Sequence, residues 1–187
     1  MNDTTFEFNA GQAPRLASVS IRGEDGKFGD FALAPPFNPE FYRMGHALYS
    51  LAPDYMRFLR MVLIGGALDG RRLVSQAGLT TMLTNQIGNI AIPVLTSCVP
   101  RLSADVDFFC GKRKSHSMDF MRFDEDIPGM RRAGSQRWAG VLNSHYWQNA
   151  KAAVIRMLTT QSLPFTEPRF MKTYEAFERA VYQIPRR

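Results

Sequence analysis

The chain has 187 residues, 45% of them apolar and 12% aromatic, which is the usual size of one domain and enough to fill a continuous core. Its charged fraction is 21%, with 11 Pro and 14 Gly, and no run approaches the roughly 18 uninterrupted apolar residues of a membrane span. A net charge of +6 raises the question of an anionic partner, but the basic clusters are short: Lys112-Arg113-Lys114, Arg71-Arg72, Arg131-Arg132 and Arg186-Arg187. No basic helical face interleaved with stacking aromatics is present, so solvated loops are expected and no nucleic-acid role.

The opening Met1-Asn2-Asp3-Thr4-Thr5-Phe6 has neither a basic start nor an apolar core, so no secretory signal is expected if Met1 is the true start, and the cytoplasm is the default compartment. Residues 1 to 40 are punctuated by Gly11, Pro14, Gly23, Gly26, Gly29, Pro35, Pro36 and Pro39 and carry little helical pattern. Leu16 to Ile21 alternates as a half-buried strand does, and Glu24-Asp25-Gly26 supplies turn chemistry after it. The clearest helix follows. Ser50 is its candidate cap, Pro53 lies in its first turn, Tyr55, Phe58, Leu59, Val62 and Leu63 form one stripe, and Gly65-Gly66 ends it.

Ser75 is expected to cap a second, shorter helix through about Leu83, and a stretch with Ile90, Ile92, Pro93, Val94 and Leu95 comes next. Residues 98 to 134 read as an extended excursion with few periodic signals. The two cysteines there, Cys98 and Cys110, have no CxxC spacing, and His46, His116 and His145 have no HExxH spacing. No zinc site is expected; a disulfide between the cysteines stays open, idle thiols being the plainer reading.

From Trp138 the pattern changes. Trp138 to Leu142, Ser144 to Trp147 and Val154 to Thr160 read as short strands of an antiparallel meander, rich in aromatic and β-branched residues. Pro164 and Pro168 precede a last helix with Phe170, Tyr174, Phe177 and Val181 on a core-facing stripe and Lys172, Glu175, Glu178 and Arg179 largely elsewhere. An α+β domain is expected, with the final helix packed over the antiparallel sheet and helical segments before it.

Several phrases, in order, resemble the esterase and class C β-lactamase branch of the β-lactamase and penicillin-binding-protein superfamily of serine hydrolases. They are Ala47 to Phe58, Gly65-Gly66-Ala67-Leu68-Asp69-Gly70, Thr84-Asn85-Gln86-Ile87-Gly88, Gly134 to Gly140, Tyr146-Trp147, Thr160 to Phe165 and Phe177 to Tyr182. The resemblance runs from about Thr4 to Tyr182, weak before Met44 and between Ile90 and Gly134. It implies that residues 1–187 are the C-terminal part of a β-lactamase-related domain with a partial β-lactamase-like fold.

That superfamily acylates a serine in an S-x-x-K motif and uses a third motif on a strand beside the site. Here no serine is followed three residues later by lysine, no Y-x-N, S-x-N or G-x-S-x-G occurs, and Lys172-Thr173 precedes Tyr174 instead of glycine. The third motif of the esterase branch commonly reads W-x-G, and Trp138-Ala139-Gly140 resembles it. The resemblance makes the Val141 amide one oxyanion-hole donor, with Trp138 and Gly140 beside it, the other donor being the amide of a nucleophile absent from this chain. Small residues at 139 and 140 fit a substrate carbonyl approaching the backbone closely. Read without the family, the same residues are a tryptophan anchoring a sheet edge beside a glycine bulge.

Ser117-Met118-Asp119-Phe120 stands where relatives have Gly-Leu-Gly-Phe, and Asn149 to Ala153 where they have a D-P-x-x-G hairpin, so an altered sheet is expected. His145 and His116 are candidate bases by residue type alone, with surface or loop histidines as the plainer reading.

Two functions follow. The first is the C-terminal portion of a serine hydrolase of esters or amides, inactive alone and completed by an N-terminal half. The other is a non-catalytic remnant or binding module on the same fold. The expected partners are a small ester or amide substrate once completed, and copies of itself through an exposed edge. No cofactor is implied.

Overall fold

A computed structural model describes residues 1–33, 39–42, 45 and 48–184. Pro35, Pro36, Met44, His46, Ala47 and the Arg186-Arg187 pair therefore lie outside the described residues. In chain order come β1 (Val19–Arg22), β2 (Phe28–Phe31), α1 (Ala52–Leu63), β3 (Ala67–Leu68), β4 (Arg71–Arg72), α2 (Gln76–Leu83), β5 (Lys114–His116) and β6 (Met121–Phe123). After them come β7 (Gln136–Ala139), β8 (His145–Asn149), β9 (Val154–Leu158), β10 (Ser162–Leu163) and α3 (Pro168–Gln183).

The strand expected from Leu16 forms as β1, starting at Val19, and Gly26 at φ 77 makes the turn into its hairpin partner β2. β10 joins this hairpin in parallel through Ser20 with Ser162 and Ile21 with Leu163. Helix α1 forms on the expected stripe and buries Leu59, Met61 and Val62. Its cap position is Leu51 and not Ser50, because the Ser50 hydroxyl is 2.9 Å from Thr4 Oγ1. At the start of α2 the Ser75 hydroxyl accepts from the Gly78 amide at 3.0 Å, as a capping serine should.

The five-stranded sheet runs β5-β6-β7-β8-β9, antiparallel throughout, so the meander expected from Trp138 is longer by two strands. β5 and β6 lie inside the segment that reads as an excursion. At three residues each they are too short to show alternation, and Lys114, part of the supposed solvated cluster, is 7% exposed and bound to Asp107 at 2.6 Å.

Each face of the sheet carries helix. On one, Leu59, Phe120, Tyr146 and Ile155 pack with Tyr55, Phe58 and Leu83 from the α1 and α2 side. On the other, α3 lies over β8, where Trp147 meets Tyr174 and Phe177 edge-on at 5.7 Å. The β8 strand is buried along its whole length. The hairpin after it forms without glycine: Asn149 Oδ1 accepts from the Ala152 amide at 3.1 Å, and Ala153 takes φ 49.

The α3 interface contains charge. Arg131 and Glu178 are both fully buried and paired, with Arg131 Nε 2.6 Å from Glu178 Oε1 and Nη2 donating to the Tyr174 hydroxyl at 3.0 Å. The expected position of Glu178 off the core stripe is thus corrected, since it follows Tyr174 by one helical turn and has a cation waiting for it. Removing one member of a buried pair strands the other. Glu178→Ala is expected to lower the stability measured by urea unfolding by about 3–5 kcal/mol, whereas Arg131→Met with Glu178→Leu costs far less.

Candidate functional site

The Trp138 to Val141 segment lies at the end of β7 and turns back into β8. Gly140 N donates to Ser144 O at 2.9 Å and Asn143 N to Gly140 O at 3.0 Å, closing a tight loop. β7 pairs with β8 along its length, up to Ala139 with His145. Its pairing with β6 stops at Arg137 with Met121, so the edge of β7 beyond Arg137 is open on the β6 side. The Val141 amide has no hydrogen-bond partner among the described residues, and Val141 is 57% exposed. The structure therefore brings Trp138, Gly140 and Val141 to one open strand edge.

Trp138 is 45% exposed, too open for the anchor of a sheet edge, and its ring meets His116 edge-on at 5.4 Å. A Cβ built on Gly140 meets nothing within 4 Å, so the space over the backbone is free for an approaching group. Across the strands Trp138 faces Tyr146, whose hydroxyl receives that of Tyr55 at 3.1 Å. Burial pushes both phenols up, and the nearby Asp119 carboxylate raises them further, so they are neutral hydrogen-bonding groups. Tyr55 was legible only as a core residue of α1; nothing in its spacing marks the contact with Tyr146.

Asn143 holds the loop in place. It is fully buried at φ 60; its Nδ2 donates to Ser162 O at 2.9 Å and Pro164 O at 2.8 Å, and its Oδ1 accepts from Thr166 N at 2.8 Å. Asparagine tolerates left-handed backbone better than most residues, and the sequence signals it only as a break between two strands.

The two candidate bases separate. His116 is half-buried beside Trp138, but His145 is fully buried beneath Phe165, Phe170 and Tyr174 and reaches no open surface. Arg137 Nη2 donates to His145 Nδ1 at 2.6 Å, which fixes the neutral tautomer with its proton on Nε2. Burial, reinforced by the Arg137 and Arg131 charges, pushes His145 down to about 2. Arg137 itself is buried without a carboxylate partner among the described residues; its guanidinium lies 3.5 Å over the Phe108 ring, and desolvation lowers its basicity.

Cys98 and Cys110 are both exposed and free, and no cluster of three metal-ligating side chains occurs among the described residues. No helix among them is long and apolar enough to cross a membrane.

No protein-family model matches the chain. Two proteins of Mycobacterium tuberculosis, Rv1367c and MT1414, are each 34% identical to it over 89 residues, which is 46% of this chain and 22% of theirs. The chain thus matches less than a quarter of the length of these curated relatives. Among solved structures, unliganded simvastatin synthase (LovD) from Aspergillus terreus aligns at a TM-score of 0.71 with 20% identity, covering 96% of this chain and 44% of that one. Its selenomethionyl derivative aligns at 0.75 with 19% identity, covering 96% and 45%. The likeness shows the fold: this chain has part of a β-lactamase-like architecture, an antiparallel sheet with a C-terminal helix packed on it. The resemblance read from the ordered phrases holds at that level.

The buried neutral His145 sets a pH dependence. Its folded-state value lies below the ordinary 6.5, so below that pH protons bind the unfolded chain and not the native one. Stability attributable to this residue is full above pH 6.5 and falls by up to about 1.4 kcal/mol per pH unit below it. Urea midpoints between pH 7 and 5 are expected to fall less steeply in His145→Gln than in the parent chain; equal slopes refute the assignment.

Proposed function

We propose that this chain is the C-terminal portion of a β-lactamase-related serine hydrolase or acyltransferase, acting on an ester or amide through an acyl-serine supplied by an N-terminal segment. The observation that carries the reading is the open edge of β7, where the exposed Trp138, the uncrowded Gly140 and the unpartnered Val141 amide stand together. An amide with no partner, at the end of a rigid strand, is what a developing oxyanion needs. The fold shared with LovD, a serine acyltransferase, supports the reaction class, and the 45% coverage of that chain leaves more than half of its architecture to be supplied.

The chain contains no S-x-x-K, so the acyl-accepting serine and the second oxyanion donor come from elsewhere. Trp138 walls the acyl group, Gly140 admits it and the Val141 N–H binds its oxygen. β9 is an edge strand of the sheet, and its unpaired edge makes the chain associate with strands of a partner segment or of another copy.

The test is complementation. The chain alone is expected not to hydrolyse a p-nitrophenyl ester, and turnover is expected to appear when an N-terminal half bearing S-x-x-K from a relative is added. Gly140→Ala, placed where a Cβ meets nothing, leaves the melting temperature unchanged but cuts turnover of the mixture about tenfold or more by crowding the oxyanion. Complementation that fails, although sedimentation shows the two halves bound, favours the alternative of a non-catalytic module on the same fold. Turnover by the isolated chain sinks the completed-enzyme reading.

A further inference from the structure

Side chains alternate along a strand, so Gln148 stands on the same face of β8 as Tyr146, which packs under α1. Across the strands Gln148 pairs with Gln136, and Gln136 with Arg122. A polar row therefore crosses a face that is otherwise covered by apolar contacts with the helices.

Two of its three members have a structural use. Arg122 pairs with Asp124, and Gln136 Nε2 donates to Leu83 O at 2.8 Å while its Oε1 accepts from the Ser117 hydroxyl at 3.3 Å, tying the end of α2 to the sheet. Gln148 has no such use. It is 5% exposed, yet its side-chain amide has no hydrogen-bond partner among the described residues. Neither amide atom is sealed in the core as Arg137 Nε and Trp147 Nε1 are, so the surface that Gln148 keeps includes its amide.

Gln148 lines a cleft of about 230 Å³ at the C-terminal end of α1. The walls are apolar: Val62 and Leu63 of α1, Leu83 of α2, Ala133 before β7 and Ala150 after β8. Arg122 and Lys151 also line it, but Arg122 is held by Asp124 and Lys151 is exposed to solvent. Gln148 is thus the one buried polar side chain of the polar row that is both unpartnered and open to the cleft. Buried amides are rarely left unsatisfied, and one without structural use at an apolar cleft points to an occupant that engages it.

We propose that this cleft is a binding site for a small apolar carboxamide, one primary amide on a short hydrocarbon body. A carboxamide donates and accepts side by side, so it matches the Gln148 amide with two hydrogen bonds, one in each direction. A carboxylate only accepts and is repelled by Oε1, and an alcohol satisfies one of the two atoms. The hydrocarbon lies against Val62, Leu63 and Leu83, and the volume, below the roughly 300–1,000 Å³ of drug-sized sites, limits its length. The site uses none of the residues at the Trp138 edge and does not depend on the chemistry proposed there.

The experiment titrates the isotope-labelled full chain with isobutyramide, isobutyrate and isobutanol at one ionic strength, followed by nuclear magnetic resonance. Saturable shifts are expected for isobutyramide at the Gln148 side-chain amide and at the Ala133 and Ala150 backbone amides, with a dissociation constant on the order of a millimolar or tighter. Isobutyrate and isobutanol, which carry the same body, are expected to bind about tenfold or more weakly. Gln148→Met keeps the length of the side chain and removes its hydrogen bonds; it is expected to weaken isobutyramide about tenfold and to bring the amide and the alcohol to equal affinity. The ligand series in the parent chain decides the matter even where this variant fails to fold. Shifts that do not saturate or that lie away from the cleft, equal affinity for the three ligands, tighter binding of isobutyrate, or unchanged amide affinity in the folded variant each overturn the proposal.

Discussion

The rest of the structure depends on a cluster of charge buried between α3 and the sheet. Two guanidiniums, Arg131 and Arg137, lie there with one carboxylate, Glu178, which pairs with Arg131, and all three residues are at most 2% exposed. Such groups leave water only when geometry compensates them, so helix and sheet have one permitted relative position. Arg131 lies in the loop that feeds β7, and Arg137 lies on β7 itself, so the cluster fixes the strand from behind. Its aromatic surroundings complete the compensation: Arg131 lies 4.8 Å from the Phe123 ring and 5.0 Å from Phe109, and Arg137 lies over Phe108.

A strand fixed from behind can afford an open front. β7 is paired on both sides as far as Arg137 and on one side beyond it, and Asn143 ties the loop that follows to the Ser162 to Thr166 segment. Thr160 adds two hydrogen bonds to the same loop, through Leu142 O and Asn143 O at 2.8 and 2.9 Å. The Val141 amide is thus held on a fixed loop without a partner among the described residues, at a residue that is 57% exposed. Pre-organisation of this kind belongs to sites where charge develops and solvent would otherwise have to reorient.

What the sequence disclosed follows from which interactions leave a periodic trace. Helix α1 was legible because Tyr55, Phe58, Leu59, Val62 and Leu63 repeat at the helical spacing, and Ser75 because a capping hydroxyl acts on a donor three residues away. The W-x-G resemblance points to residues that the structure places at an open strand edge. Glu178 and Lys114 were misplaced because a charged residue reads as solvated until its partner is known, and Arg131 lies 47 residues from Glu178. β5 and β6 were missed because three residues hold no alternation, and Asn143 because its partners come from a segment some twenty residues on.

Rigidity and chemistry are therefore divided within the chain. The rear face of the sheet holds nearly all the buried charge found among the described residues, and it is inert: His145, the one buried histidine among them, is neutral and sealed under three aromatic rings. The front edge has free backbone and free space, and in the proposed function it receives a reacting group. Acyl transfer needs a nucleophile and two converging donors, and in the proposed function this edge would provide one donor.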